Sequence, residues 1–188
     1  MKKGLSPERK EELLSQSFNY LIKNGLENTT LRSFGQELFG SPSSMYLYFD
    51  DKEDWIVETA KYGLSTSADI LFKYAFANIT DMERFFTTVI EEIDKVKERL
   101  RAVYQVATSP VYGADMRKAA EGLNEFYHQY IGRLSDILGC RPETIIPSVF
   151  NFISIMLDYV VWEDREITQV QFADLYKTME MKLKAEKQ

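Results

Sequence analysis

Apolar residues recur at threes and fours along almost the whole chain, and no stretch alternates for long enough to make a strand, so the pattern predicts an all-α protein. Leu14, Phe18, Leu21 and Ile22 mark one face of a first helix, opened by Ser6-Pro7 and ended by Asn24-Gly25. Leu31, Phe34 and Leu38 mark a second, with Thr30 as its cap, Arg32, Ser33, Gln36 and Glu37 on its wet side and Gly40 as its breaker. Ser41-Pro42 then reads as another N-terminus, a hydroxyl cap before a proline that gives up a donor no helix would use there. The helix it opens is very short, because Asp50 and Asp51 stop it. Asp51 and Asp54 are spaced like a capping box for the next helix, with Lys52 in its first turn. Further helices are predicted over Asp54 to Ala77, Met82 to Arg101, Met116 to Leu138, Pro142 to Glu163 and Gln169 to Lys184. Ser109-Pro110, Tyr112-Gly113, Gly139 and Arg141-Pro142 punctuate them. Pro147 lies inside the fourth, which is therefore expected to kink in its first turn or to start properly near Pro147.

A helix, a Gly-containing turn and a brief second helix are the parts of a helix-turn-helix, whose second helix enters the major groove of DNA. At these residues the chain resembles the TetR family of bacterial transcriptional regulators. The matching residues are Thr29, Thr30 and Leu31, the run Ser41-Pro42-Ser43-Ser44-Met45-Tyr46, then Phe49, then Lys52-Glu53, together with the first helix and its terminal glycine. The likeness is specific through Ile56 and architectural beyond it. It implies a DNA-binding domain at residues 1–53 and an effector-binding and dimerisation domain at 54–188. It implies a homodimer whose last two helices form a four-helix bundle, and a repressor released from double-stranded operator DNA by a small-molecule effector.

By position in the matched motif, Tyr46 and Lys52 fall to phosphates, Thr30 and Arg32 lie where the first reading helix meets the DNA backbone, and Ser43, Ser44, Leu47 and Tyr48 reach bases. Leu47 and Tyr48 suit thymine methyls better than a bidentate reading of guanine, which leaves part of the specificity to DNA shape. Two positions depart from the family pattern. Gly35 stands where a small residue, most often alanine, is usual, and Phe39-Gly40 stands where the turn has glycine followed by an aliphatic. Either the helix runs one residue longer, or Phe39 replaces the aliphatic plug.

Composition changes this picture in a few places. The 188 residues suit one large or two small domains, and a hydrophobic fraction of 45% with 13% aromatics argues for a packed core. The longest apolar stretch, Phe150 to Trp162, is interrupted by Asn151, Ser154 and Asp158, so it reads as too short and too polar for a bilayer. No apolar segment follows the charged N-terminus as a secretory signal would, so the expectation is a cytoplasmic protein without membrane association. A single cysteine, Cys140, excludes an internal disulfide, and with one histidine, His128, there is no ligand set for zinc.

The net charge of −6 sits awkwardly with DNA. Lys2, Lys3, Arg9, Lys10, Lys23, Arg32 and Lys52 are outnumbered in the N-terminal part by Glu and Asp. Affinity then has to come from a few well-placed contacts and from helix N-termini aimed at phosphates.

The helix from Pro142 to Glu163 is apolar almost all round, and Thr144, Ser148, Asn151, Ser154 and Asp158 form one narrow polar stripe along it. That stripe is a wet face, a dimer seam or a strip lining a cavity. Tyr104, Met116, Leu123, Phe126, Tyr127, Tyr130 and Trp162 are the candidates to line an interhelical effector pocket, with plain core packing as the alternative for each. No nucleophile elbow or Gly-rich phosphate loop occurs, so the sequence reads as a non-enzyme with no cofactor and no metal. Two other classes stay open: a helical protein-interaction module with a non-functional helix-turn-helix, and a small helical enzyme using His128.

Overall fold

A computed structural model describes residues 6–120 and 123–186. It is all-helical, with no strand among the described residues. Its order is α1 (Pro7–Asn28), α2 (Leu31–Phe39), a one-turn 3-10 helix (Ser44–Leu47), α3 (Lys52–Asn78), α4 (Met82–Thr108), α5 (Gly113–Ala120), α6 (Leu123–Leu138), α7 (Pro142–Trp162) and α8 (Arg165–Glu186). The chain forms two compact units, one of Met1–Ser67 with Glu98–Glu121 and one of Ala68–Lys97 with Gly122–Gln188.

The N-terminal boundaries follow the caps. Ser6 Oγ accepts the Arg9 N–H at 3.3 Å, Pro7 opens α1, and Gly25 interrupts it with φ 73° and ψ 161°, values that cost a glycine little. Thr30 Oγ1 accepts the Ser33 N–H at 3.0 Å to start α2, and Gly40, left-handed at φ 65°, ends it. Helix α2 therefore includes Phe39.

Two elements differ from the sequence pattern. The short second helix begins at Ser44, not at Ser41-Pro42, and it is 3-10: Ser41 C=O accepts the Ser44 N–H at 3.3 Å across a turn, and no side chain caps Ser43. Of the helix expected over Met116 to Leu138, the described residues form α5 up to Ala120 and α6 from Leu123. Helix α7 runs unbroken through Pro147, which lies early enough to cost one backbone bond, that of the Glu143 carbonyl.

Unbroken, α7 spans 21 residues with a mean hydropathy of 1.6 over its most apolar window, which is long and apolar enough to cross a membrane by length and composition alone. This corrects the expectation drawn from Phe150 to Trp162, which counted only part of the helix. Ile145, Val149, Ile155, Met156, Tyr159 and Val160 of α7 are buried against the rest of its unit, as in a core helix.

In the first unit Leu14, Phe18, Leu21, Leu31, Phe34, Met45, Phe49, Trp55 and Ile56 form a buried core with Val103, Val106 and Met116. In the second, Phe86, Phe152 and Phe172 form an aromatic centre, with Phe152 and Phe172 stacked at 5.1 Å. Helix α8 is started by Asp164, whose carboxylate accepts the Ile167 N–H at 3.0 Å. Asp94 of α4 holds the α7–α8 turn, accepting Tyr159 Oη–H at 2.8 Å and Arg165 Nη1–H at 2.9 Å.

Burial pushes the Asp94 carboxyl up, but the Tyr159 and Arg165 hydrogen bonds and the Lys97 charge outweigh it and hold the group below its ordinary value. A folded pKa below the unfolded one means the contribution is complete above the ordinary carboxylate range, near 3.9, and is lost as pH falls through the lowered folded value. Asp94→Asn is thus expected to destabilise the protein at neutral pH, with the deficit shrinking on acidification below about pH 4. Urea unfolding at both pH values checks this, and a pH-independent deficit contradicts it.

Candidate functional site

Helices α1, α2 and the start of α3 pack together around the 3-10 turn. Trp55, wholly buried at the start of α3, stacks on Phe34 of α2 at 5.1 Å and donates its indole N–H to Ser17 Oγ of α1 at 2.9 Å. Tyr20 of α1 packs on Phe34 at 5.0 Å and donates its hydroxyl to Ser33 Oγ at 3.0 Å. Each helix is thereby tied to the other two by an aromatic contact and a hydrogen bond that a shift along the helix axis would break. Gly35 matters at the turn, where a Cβ would come within 3.1 Å of the Ser41 and Pro42 carbonyl oxygens and Met45 Cγ. The missing side chain lets the turn backbone lie directly on α2.

The 3-10 turn sorts its residues by side. Met45 is wholly buried as a plug, whereas Tyr46 is 53% and Leu47 56% exposed. Ser43 is exposed and Ser44 half-buried. Tyr48 is half-buried, its ring stacked on Phe39 at 5.6 Å. Phe39 therefore lies inside α2 and also packs against Tyr48 at the end of the 3-10 turn. Arg32 is exposed and Lys52 half-buried; among the described residues neither has a carboxylate partner, whereas Arg9 and Lys10 are paired with Glu12 and Glu58. Lys2 and Lys3 lie outside the described residues.

The helix N-termini in this region are partly spent. Thr30 claims one N–H of α2. Asp51 takes the Asp54 N–H at 2.8 Å, and Asp54 reaches back to the Asp50 N–H at 3.0 Å, a capping box whose return bond falls one residue early. Two carboxylates at the start of α3 leave little room for a phosphate there.

The predicted effector-pocket residues are dispersed. Tyr104 on α4 is 38% exposed and Met116 on α5 is 3% exposed within the core of the first unit. Trp162, the last residue of α7, is 74% exposed. Leu123 and Phe126 lie outside the residues whose side chains are described. Tyr127 and Tyr130 of α6 do come together, around Phe72 of α3, with ring centroids 6.4 and 4.1 Å away. Phe76 and Phe150 join them, and the Arg133 guanidinium lies over Phe76 at 4.3 Å. Tyr130 donates to Asp69, and burial together with that carboxylate pushes its phenol up to about 12. Phe72, Phe76 and Asp69 were readable only as a helical stripe, since nothing local tells which helix will face it.

A groove of about 410 Å³ elsewhere in the same unit is lined by Arg141, Glu143, Thr144, Pro147, Lys182 and Glu186 and by none of the predicted pocket residues. Within that lining, Glu186 accepts the Arg141 backbone N–H at 2.8 Å. His128 is exposed, and no group of metal-ligating side chains occurs among the described residues.

No protein-family model, no curated protein and no solved structure matches the chain.

Proposed function

We propose that the chain is a DNA-binding transcriptional regulator of the TetR type, a homodimer that binds double-stranded operator DNA through Thr30, Arg32, Ser43, Ser44, Tyr46, Leu47, Tyr48 and Lys52 and releases it when an effector binds. The observation that carries this reading is the sorting on the 3-10 turn. Met45 anchors it, while Tyr46 and Leu47 stand exposed, and Arg32 and Lys52 of the same three-helix head have no carboxylate partner among the described residues. Large apolar side chains held exposed next to uncompensated positive charge suit base edges beside a phosphate backbone.

Dimerisation is supported by a second observation. Helices α7 and α8 expose Phe150, Val161, Trp162, Ile167, Val170 and Met181. Asn151, Ser154 and Asp158 of the polar stripe are exposed beside them, and only Ser148 is buried. This much apolar side chain on two helices is an ordinary signature of an interface.

The rival reading, a protein-interaction module, draws on the acid excess around the head and on the two capping aspartates. The two diverge in salt. For a DNA reader, Lys52→Ala weakens binding to all sequences alike and flattens the salt dependence by roughly one unit of slope. Tyr46→Phe is expected to lose at most about 1.5–3 kcal/mol, the worth of a hydrogen bond to a charged group. Titrations at several salt concentrations check both, and unchanged curves would remove these residues from the interface.

A further inference from the structure

Arg99 of α4 is held without an ion-pair partner. Its Nε–H donates to Ser67 Oγ at 3.2 Å and an Nη2–H donates to Thr66 Oγ1 at 2.6 Å, both on α3, and its guanidinium carbon lies 4.8 Å from the centroid of the Phe18 ring. The neighbouring Glu98 is paired with Arg101 instead. Among the described residues no carboxylate meets Arg99, in a chain where Asp and Glu number 29 against 23 Lys and Arg. Burial pulls its pKa below the ordinary value, yet an arginine stays charged at any working pH.

The two hydroxyls cannot supply the missing charge, and their protons are already committed. Ser67 donates to the Gly63 carbonyl at 2.6 Å and Thr66 to the Tyr62 carbonyl at 2.8 Å. Their oxygens are thus fixed as neutral acceptors facing the guanidinium. Of the five N–H groups on the planar fork, the two used lie along its Nε edge. Three N–H groups remain without a partner among the described residues, two on Nη1 and one on Nη2, of which one on each nitrogen runs parallel to the other, and Arg99 and Thr66 are both partly open to solvent. That end of the fork fits a planar carboxylate in bidentate fashion. Stacking on Phe18 and two hydrogen bonds fix the fork beforehand, so little side-chain freedom is lost on binding.

We propose that Arg99, positioned by Thr66, Ser67 and Phe18, is a binding site for a carboxylate-bearing small molecule. This gives the effector of the proposed function a chemical class and rests on that reading only for its consequence. Phe18 belongs to the first helix of the reading head, so a ligand on Arg99 acts on a group stacked against that head.

The test needs no DNA, which keeps its failure distinct from failure of the regulator reading. The arginine Nε–H resonances of the full chain are followed by NMR during titration with sodium acetate, sodium phosphate and sodium chloride at matched ionic strength. The Arg99 signal is assigned by its absence in Arg99→Lys, with Arg99→Gln as a second variant. The expected result is a saturable shift of the Arg99 signal with acetate that chloride does not reproduce. A lysine keeps the charge but loses the fork, so acetate-dependent thermal stabilisation should weaken about tenfold or more in either variant. An Arg99 signal that does not respond to acetate, one that chloride moves equally, or variants stabilised as well as wild type would overturn the proposal. A response to phosphate alone would overturn the carboxylate assignment.

Discussion

Trp55→Ala is expected to destabilise the first unit by about 3–5 kcal/mol, the usual cost of emptying a buried aromatic site. Trp55 is wholly buried, and its removal takes away the stacking partner of Phe34 and leaves Ser17 Oγ, itself fully buried, without the indole N–H it now accepts. Trp55→Phe separates the two contributions. It keeps a ring against Phe34 and loses only the hydrogen bond, so a deficit nearer 1–2 kcal/mol, roughly, is expected. Denaturant unfolding followed by circular dichroism measures both. Equal losses in the two variants would mean that the hydrogen bond, not the packing, holds α1, α2 and α3 together.

Gly63→Ala is expected to be nearly as damaging, although alanine is the better helix former by roughly 1 kcal/mol. A Cβ at Gly63 would fall inside the contact distance of the Phe18 ring, which is wholly buried and has Arg99 on it. Either Phe18 leaves its rotamer or α1 moves off α3, an overpacking cost of about 1–3 kcal/mol beyond the helix gain. Phe18→Leu in the same chain should recover part of the loss, since it shortens the group that clashes. Additive losses in the double variant would show that the two residues do not meet.

What could be read from sequence was mostly what neighbours in sequence determine. Ser6, Gly25, Thr30 and Gly40 act through bonds or backbone angles within three or four residues, and each does in the structure what its residue type favours. The departures come from competition that no local window contains. The turn after α2 winds as 3-10 with Gly35 under it, where the turn carbonyls approach α2 more closely than a side chain would allow. Pro147 is tolerated because it lies early in α7, where it costs the helix one backbone bond.

Candidate site residues divide the same way. Tyr46 and Leu47, singled out by their place in the resembled motif, are exposed. The pairing of Trp55 with Ser17 joins residues 38 apart in sequence, and the isolation of Arg99 depends on which carboxylates fold elsewhere. Neither leaves a pattern in the chain. Helical spacing shows which residues share a face but not which helix that face meets, and so Tyr127 and Tyr130 were found without Phe72.

The central claim is that two copies of this chain read DNA together. Footprinting on genomic fragments selected by the protein tests it most directly, at low and at physiological salt. Two protected half-sites related by two-fold symmetry, about 34 Å or a multiple apart, with protection fading as salt rises, are the predicted result. No selected fragment at low salt, or protection that salt leaves unchanged, would contradict it.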